Sequence, residues 1–255
     1  MAIFIDTGKI EEIKKYYEMG IIRGVTTNPT ILVKDGVTGG MEGVKIRSIE
    51  IAKLINPLPL SVEVTSNDTQ KMLDQAIKFS KWADNINVKI TIHGPYGELD
   101  NLKVIHELEK NHDVRINVTA MMTINQVKLV LPGLADGVGG YVSVFAGRIA
   151  DAGIDPLPVM KNIMDLLADI PNVELIWASP RELFNIVQAD SIGCHIITAT
   201  NNILRKFRWV SIFGLVFTLL LSTLFISCAD DLVVPKYEEE DEDPDKPPGG
   251  EDPIG

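Results

Sequence analysis

The sequence has little of what staples small secreted proteins or binds metals. Two cysteines, Cys194 and Cys228, in 255 residues make no disulfide framework. The first lies inside an apolar strand pattern, as expected of a reduced, cytoplasmic protein. The four histidines are not at metal-ligand spacing, and His93, in His93-Gly94-Pro95, reads as a loop residue rather than a catalyst. Gly36, Gly39, Gly40 and Gly43 fit neither a Rossmann fingerprint nor a Walker loop, so they read as a flexible loop. No signal-peptide pattern opens the chain, because Asp6 and Lys9 interrupt any apolar run and Lys14 and Lys15 follow. Basic character is missing too. The net charge is −11, and residues 228–255 hold eleven Asp and Glu against Lys236 and Lys246, which leaves only −2 for residues 1–227. A nearly neutral folded part gives nucleic acid no electrostatic footprint.

What is present is alternation. Short apolar runs at Ala2 to Asp6, Ile22 to Thr27, Leu60 to Val64, Ile86 to Thr91, Val114 to Thr119, Gly140 to Phe145, Val173 to Ala178 and Gly193 to Thr198 read as eight strands. Between them lie stretches with helical spacing, such as Ile10 to Tyr17, Thr69 to Trp82, Leu99 to Glu109 and Leu157 to Leu167. Eight βα units predict an α/β fold, a (β/α)8 TIM barrel over residues 1–205, with an open doubly wound sheet as the structural competitor.

One stretch organises the rest. In Asn85-Ile86-Asn87-Val88-Lys89-Ile90-Thr91, Val88 and Ile90 face one side, so period-two geometry sends Asn87, Lys89 and Thr91 to the other. An isolated strand lysine ordinarily reaches water. This one has company: Asp6 and Phe4 on strand one, Ser61, Glu63 and Thr65 on strand three, Arg115, Asn117 and Thr119 on strand five, and Tyr141, Ser143 and Phe145 on strand six share its parity. Such residues would converge inside the barrel near the C-terminal strand ends, where barrel enzymes keep their active sites. Arg148 and Arg181 follow strands six and seven, where a phosphate is commonly held. Two solvated loop arginines are the alternative. Asn28-Pro29 reads in the first place as a turn.

These residues carry a resemblance. Phe4-Ile5-Asp6-Thr7, Gly24-Val25-Thr26-Thr27-Asn28-Pro29-Thr30, Ser61-Val62-Glu63-Val64, Val88-Lys89-Ile90, Ile116-Asn117-Val118-Thr119, Tyr141-Val142-Ser143-Val144-Phe145-Ala146-Gly147-Arg148-Ile149 and Ala178-Ser179-Pro180-Arg181 resemble, in order, the small transaldolases and fructose 6-phosphate aldolases. The resemblance implies a class I aldolase barrel that works through a lysine Schiff base without metal or organic cofactor. It implies that Lys89 is the nucleophile and Asp6 the acid–base group, with Glu63 and Thr119 holding the water that shuttles protons. Asn28, Asn117 and Ser143 would fix the dihydroxyacetone hydroxyls, Phe145 would form an apolar wall, and Arg148, Ser179 and Arg181 would bind phosphate. Glu63 and Phe145 stand where the aldolases resemble a Gln and Tyr pair, which favours transaldolase, with sugar phosphates as partners in the pentose phosphate pathway, over fructose 6-phosphate aldolase. The chain departs from the family at Thr91-Ile92-His93, where Pro-Met-Thr is usual, a change expected to bear on the acceptor.

The resemblance ends near residue 205. Trp209 to Ser227 is a run of nineteen uncharged residues preceded by Arg205, Lys206 and Arg208, long enough to span a bilayer with the barrel on the cytoplasmic side. Leu224-Phe225-Ile226-Ser227-Cys228 also resembles a bacterial lipoprotein leader. Residues 206–228 therefore read as a membrane-contacting or leader-like segment, and residues 229–255 as a disordered acidic tail. A family homo-oligomer would depend on a final helix that the resemblance does not reach, and an inactive tethered barrel or a fusion product is the reading from another class.

Overall fold

The computed structural model describes residues 1–206. Among them are the strands β1 Ala2–Asp6, β2 Gly24–Thr26, β3 Leu60–Glu63, β4 Ile86–Thr91, β5 Ile116–Met121, β6 Gly140–Val144, β7 Val173–Trp177 and β8 Ile196–Ala199. Each pairs in parallel with its sequence neighbours, and β8 pairs with β1, so the sheet closes into an eight-stranded barrel rather than an open doubly wound sheet. The helices around it are α1 Ile10–Glu18, α2 Pro29–Lys34, α3 Gly40–Ile55, α4 Thr69–Ser80, α5 Asn101–His112, α6 Ile124–Ala135, α7 Ala146–Asp151, α8 Pro156–Leu167 and α9 Phe184–Ser191. Residues 201–206 are also helical.

Strand parity sorts the core. Ile5, Val25, Val62, Val88, Ile90, Val118, Val142 and Ile197 are fully buried in the layer between strands and helices, where they meet Ile13, Ile51, Phe79, Ile105, Val130 and Ile163. Burial of each such aliphatic side chain stabilises the fold by roughly 1.5–3 kcal/mol. The opposite parity fills the barrel. Phe4, Tyr141, Ile176, Ala178 and Ile196 form a separate inner cluster, with Phe4 and Tyr141 edge to face at 5.9 Å. The Phe4 ring occupies the space beside Gly24, where a Cβ would stand 2.6 Å from it, so this barrel position requires glycine.

Several boundaries differ from the sequence reading. Ile22 and Val114 are buried but precede their ladders, which begin at Gly24 and Ile116. Asp113 turns the chain just before β5 with a left-handed φ of 52°. At the other end of β5, Ala120 has a φ of 64° and the register with β6 shifts between Val118 and Met121. This irregularity follows immediately after Thr119. The four glycines are not one loop: Gly40 begins α3 and Gly43 lies within it. Its packing is close, since a Cβ on Gly43 would meet the Thr38 carbonyl oxygen at 1.7 Å.

Among the described residues, no helix is long and apolar enough to cross a membrane. The run 209–227, Cys228 and the acidic tail lie outside the described residues.

Candidate active site

The C-terminal ends of the strands carry the polar residues that parity sends inward. Lys89, in the middle of β4, is 8 % exposed. Its Nζ is 3.2 Å from Glu63 Oε2 at the end of β3 and donates a hydrogen bond to the Thr27 carbonyl at 3.2 Å. The pairing follows from register, because Glu63 is the direct neighbour of Lys89 across the β3–β4 ladder. An ammonium or amine taken out of water needs such partners.

Asp6 ends β1. Thr198 and Thr26 hydroxyls are 2.6 Å apart, and Thr26 Oγ1 donates to Asp6 Oδ1 at 2.7 Å. A hydroxyl has one proton, so Thr198 donates to Thr26 and Thr26 to Asp6. Burial raises the Asp6 pKa above its ordinary value, an effect opposed by the Lys89 charge and the Thr26 hydrogen bond and reinforced by Asp35. A carboxylate in this environment is a better proton acceptor than one in water.

A second inward chain crosses from β6 to β3. Ser143 Oγ donates to Asn117 Oδ1 at 2.7 Å, and Asn117 Nδ2 donates to Ser61 Oγ at 3.0 Å. All three are buried, so the Asn117 amide is fixed in orientation. Thr119, the next inward residue of β5, has a buried Oγ1 without a hydrogen-bond partner. That hydroxyl lines the same cavity as Lys89 and is available to a reacting molecule.

The cavity has a volume of about 160 Å3, and its wall includes Asp6, Asn28, Lys89, Thr119, Ser143, Phe145, Arg148 and Ser179. Asn28 serves two ends: its Oδ1 caps α2 by accepting from Ile31 N–H at 2.8 Å, and the residue still faces the cavity. Pro29 at the first helical position fits this start. Arg148 reaches the cavity from α7, with its guanidinium 5.8 Å from the Phe145 ring centre. Ser179 adopts a left-handed φ of 59°. Its carbonyl oxygen lies so near Gly147 that a Cβ there would stand at 1.7 Å. The turn after β7 therefore depends on glycine at position 147.

Not every expected residue joins the cavity. Glu63 and Asn117 stand behind it, reaching it through Lys89 and Ser143. Arg181 lies outside its wall, with Nε donating to Asp151 Oδ1 at 3.0 Å and Nη2 donating to Asp151 Oδ2. Arg115 shares parity with Asn117 but sits at the opposite mouth of the barrel, over the Tyr141 ring at 5.0 Å and near Glu174. Parity gives the face of a strand and not the height along it. Thr65 lies beyond the end of β3 and is exposed. Thr26, Thr198 and the Thr27 carbonyl are site groups that the sequence reading gave no role. Thr198 was accessible by the same parity argument on β8.

His93 behaves as a loop residue. Gln126 Oε1 accepts from Met122 and Thr123 N–H, so its Nε2 donates to His93 Nε2 at 2.6 Å, and His93 Nδ1 donates to the Gly97 carbonyl at 3.2 Å. A larger cavity of about 580 Å3 lies away from this chemistry, between the ends of α5 and α6. Among the described residues, no group of three or more His, Cys, Asp or Glu side chains is arranged to hold a metal ion.

Comparison with known proteins gives the family of the chain. A family described as Transaldolase/Fructose-6-phosphate aldolase matches residues 3–211. "Probable transaldolase" of Dehalococcoides mccartyi is 35 % identical over 208 residues, covering 81 % of this chain and 89 % of that protein. "Probable transaldolase 2" of Listeria monocytogenes is 35 % identical, with coverage of 81 % and 88 %. Among solved structures, thiamine phosphate pyrophosphorylase from Pyrococcus furiosus is similar with a TM-score of 0.55 at 11 % identity, covering 78 % of this chain and 85 % of that one. N-acetylneuraminate lyase from Mycoplasma synoviae has a TM-score of 0.53 at 12 % identity, covering 77 % and 68 %. At that identity the two structures share the barrel fold alone.

Proposed function

The chain belongs to the transaldolase/fructose-6-phosphate aldolase family, and from that premise we propose that it is a transaldolase, moving a dihydroxyacetone unit from a ketose phosphate to an aldose phosphate through a Schiff base on Lys89. The observation that carries the reading is buried Lys89, paired with Glu63 behind it and sharing one cavity wall with Asp6 and Thr119.

Lys89 passes a proton toward Glu63 and attacks the ketose C2 carbonyl as the neutral amine. The carbinolamine hydroxyl takes up the proton that Glu63 accepted, relayed by a water held at the Thr119 hydroxyl, and leaves as water to give an iminium. Asp6 then accepts the proton of the C4 hydroxyl as the C3–C4 bond breaks. The bonding pair flows into the iminium, leaving a Lys89-bound enamine and releasing an aldose phosphate. The acceptor aldehyde takes the leaving aldose's place, the enamine carbon attacks it, and Asp6 returns its proton to the new alkoxide. Hydrolysis of the new iminium frees Lys89.

Asn28 and Ser143, the latter oriented by Asn117, are placed to hold the dihydroxyacetone hydroxyls. Arg148 and Ser179 take the phosphate at the cavity rim, and Arg181 supports that rim while paired with Asp151. Phe145 supplies an apolar wall with no hydroxyl to direct water at the intermediate, and this favours transfer over release. The test is to supply fructose 6-phosphate with and without erythrose 4-phosphate. Glyceraldehyde 3-phosphate released only when the acceptor is present supports the transaldolase. Release at the same rate without it makes the protein an aldolase.

A further inference from the structure

The residue after Asp6 begins a turn whose conformation is held from a distance. Asp35 lies at the C-terminal end of α2, with its side chain only 8 % exposed. Its Oδ2 accepts from Gly8 N–H at 2.7 Å and is 3.2 Å from Thr7 Oγ1. The Thr7 hydroxyl has one proton and lies closer to Glu12 Oε2, at 2.8 Å, so it donates there. Asp35 therefore grips the turn through the Gly8 amide. Arg47 holds the next peptide unit, donating from Nη1 to the Gly8 carbonyl at 2.6 Å. Gly8 itself admits this approach, because a Cβ would stand 2.8 Å from Leu32 Cδ2.

We propose that Asp35 is a positioning residue for the reaction: by holding the Thr7–Gly8 turn against α2, it fixes the Asp6 carboxylate at the cavity wall and places a negative charge behind it. The inference rests on the reading of Asp6 as the acid–base group. Asp35 touches no reacting atom. It lines a second cavity of about 200 Å3, whose wall also includes Asp6, Lys9, Glu12 and Lys34. The charges around Asp6 are thus Lys89 from β4, Asp35 from the end of α2, Lys9 and Glu12 from the start of α1, Lys34 from α2, and Arg148 across the catalytic cavity. Among these, Asp35 raises the affinity of Asp6 for a proton and Lys89 lowers it. One end of α2 thereby carries Asn28 into the substrate cavity, and the other end carries the group that holds the catalytic turn.

Two substitutions separate grip from charge. Asp35→Asn keeps an oxygen for the Gly8 amide and removes the charge, whereas Asp35→Ala removes both. With fructose 6-phosphate and erythrose 4-phosphate, Asp35→Ala is expected to lose about 10- to 100-fold in kcat, the range set by a small displacement of a catalytic group. Asp35→Asn should lose less, and the acid limb of its kcat/KM profile should move to lower pH, because Asp6 then releases its proton more readily. Both variants should still trap a borohydride-stable adduct on Lys89 at the wild-type level, since imine formation does not use Asp6. Wild-type kcat in Asp35→Ala, or an unmoved acid limb in Asp35→Asn, would overturn the proposal. Equal loss of turnover and adduct would also overturn it, because that marks general damage to the barrel. If Asp35→Ala does not fold, the pH profile of Asp35→Asn decides alone. A wild-type chain that traps no adduct refutes the reaction itself, and this inference with it.

Discussion

Asp6 sits under opposing influences. Burial raises its pKa, while Lys89 and the Thr26 hydroxyl lower it. Because the folded value lies above the ordinary 3.8, the stabilising contribution of the bound proton is complete below the unfolded pKa and is lost as pH rises through the folded one. Ionisation of the group is therefore held at some cost in stability, and in the proposed reaction that cost gives basicity at the C4 proton. Asp6→Asn should lower kcat by about 10²- to 10⁴-fold, the usual contribution of a general base, without lowering the melting temperature at pH 7. Calorimetry beside steady-state kinetics checks both halves. Glu109 makes the same argument without catalysis. Burial pushes it up to about 8 from 4.5, against the opposing backbone N–H groups of Gly139, Val138 and Ile116, so wild-type stability should fall as pH rises from about 5 to 8. Glu109→Gln should flatten that fall in melts recorded across this range.

At the scale of elements, the strands were legible because burial on one face and chemistry on the other impose a two-residue period. In β4, Lys89 is opposite in parity to Val88 and Ile90, and the structure points these two outward into the helix layer and Lys89 toward Glu63. Loops were less legible. Ser179 with its left-handed φ, and Ala120 at the register shift after Thr119, depend on what the turn packs against and not on local composition. Gly147 is the clearest case, since only the structure brings the Ser179 carbonyl against it. Gly147→Ala should displace the turn after β7, raising KM for fructose 6-phosphate at least about tenfold. Trapping of unphosphorylated dihydroxyacetone on Lys89 should change much less. Arg115 shows the limit of parity in the other direction, as a residue correctly assigned to the inner face yet at the wrong mouth.

For the whole molecule, eight βα units in sequence favoured a barrel but left an open doubly wound sheet as competitor, because strand order is not written in periodicity. The pairing of each strand with its neighbours, and of β8 with β1, closes it. Parity sent Phe4 and Tyr141 inward, but the need for Gly24 beneath the Phe4 ring was hidden, since it appears only once β1 and β2 are paired. The apolar run 209–227 remains a proposal read from composition: if it contacts a membrane, ending the chain after Lys206 should abolish a requirement for detergent, and a full chain that stays soluble without detergent would refute it. The central claim concerns one lysine. Incubation with fructose 6-phosphate and borohydride, followed by peptide mapping by mass spectrometry, tests it most directly. The account predicts a reduced adduct on Lys89 that is absent from Lys89→Met. No adduct in the wild type, or an equal adduct in Lys89→Met, would contradict it.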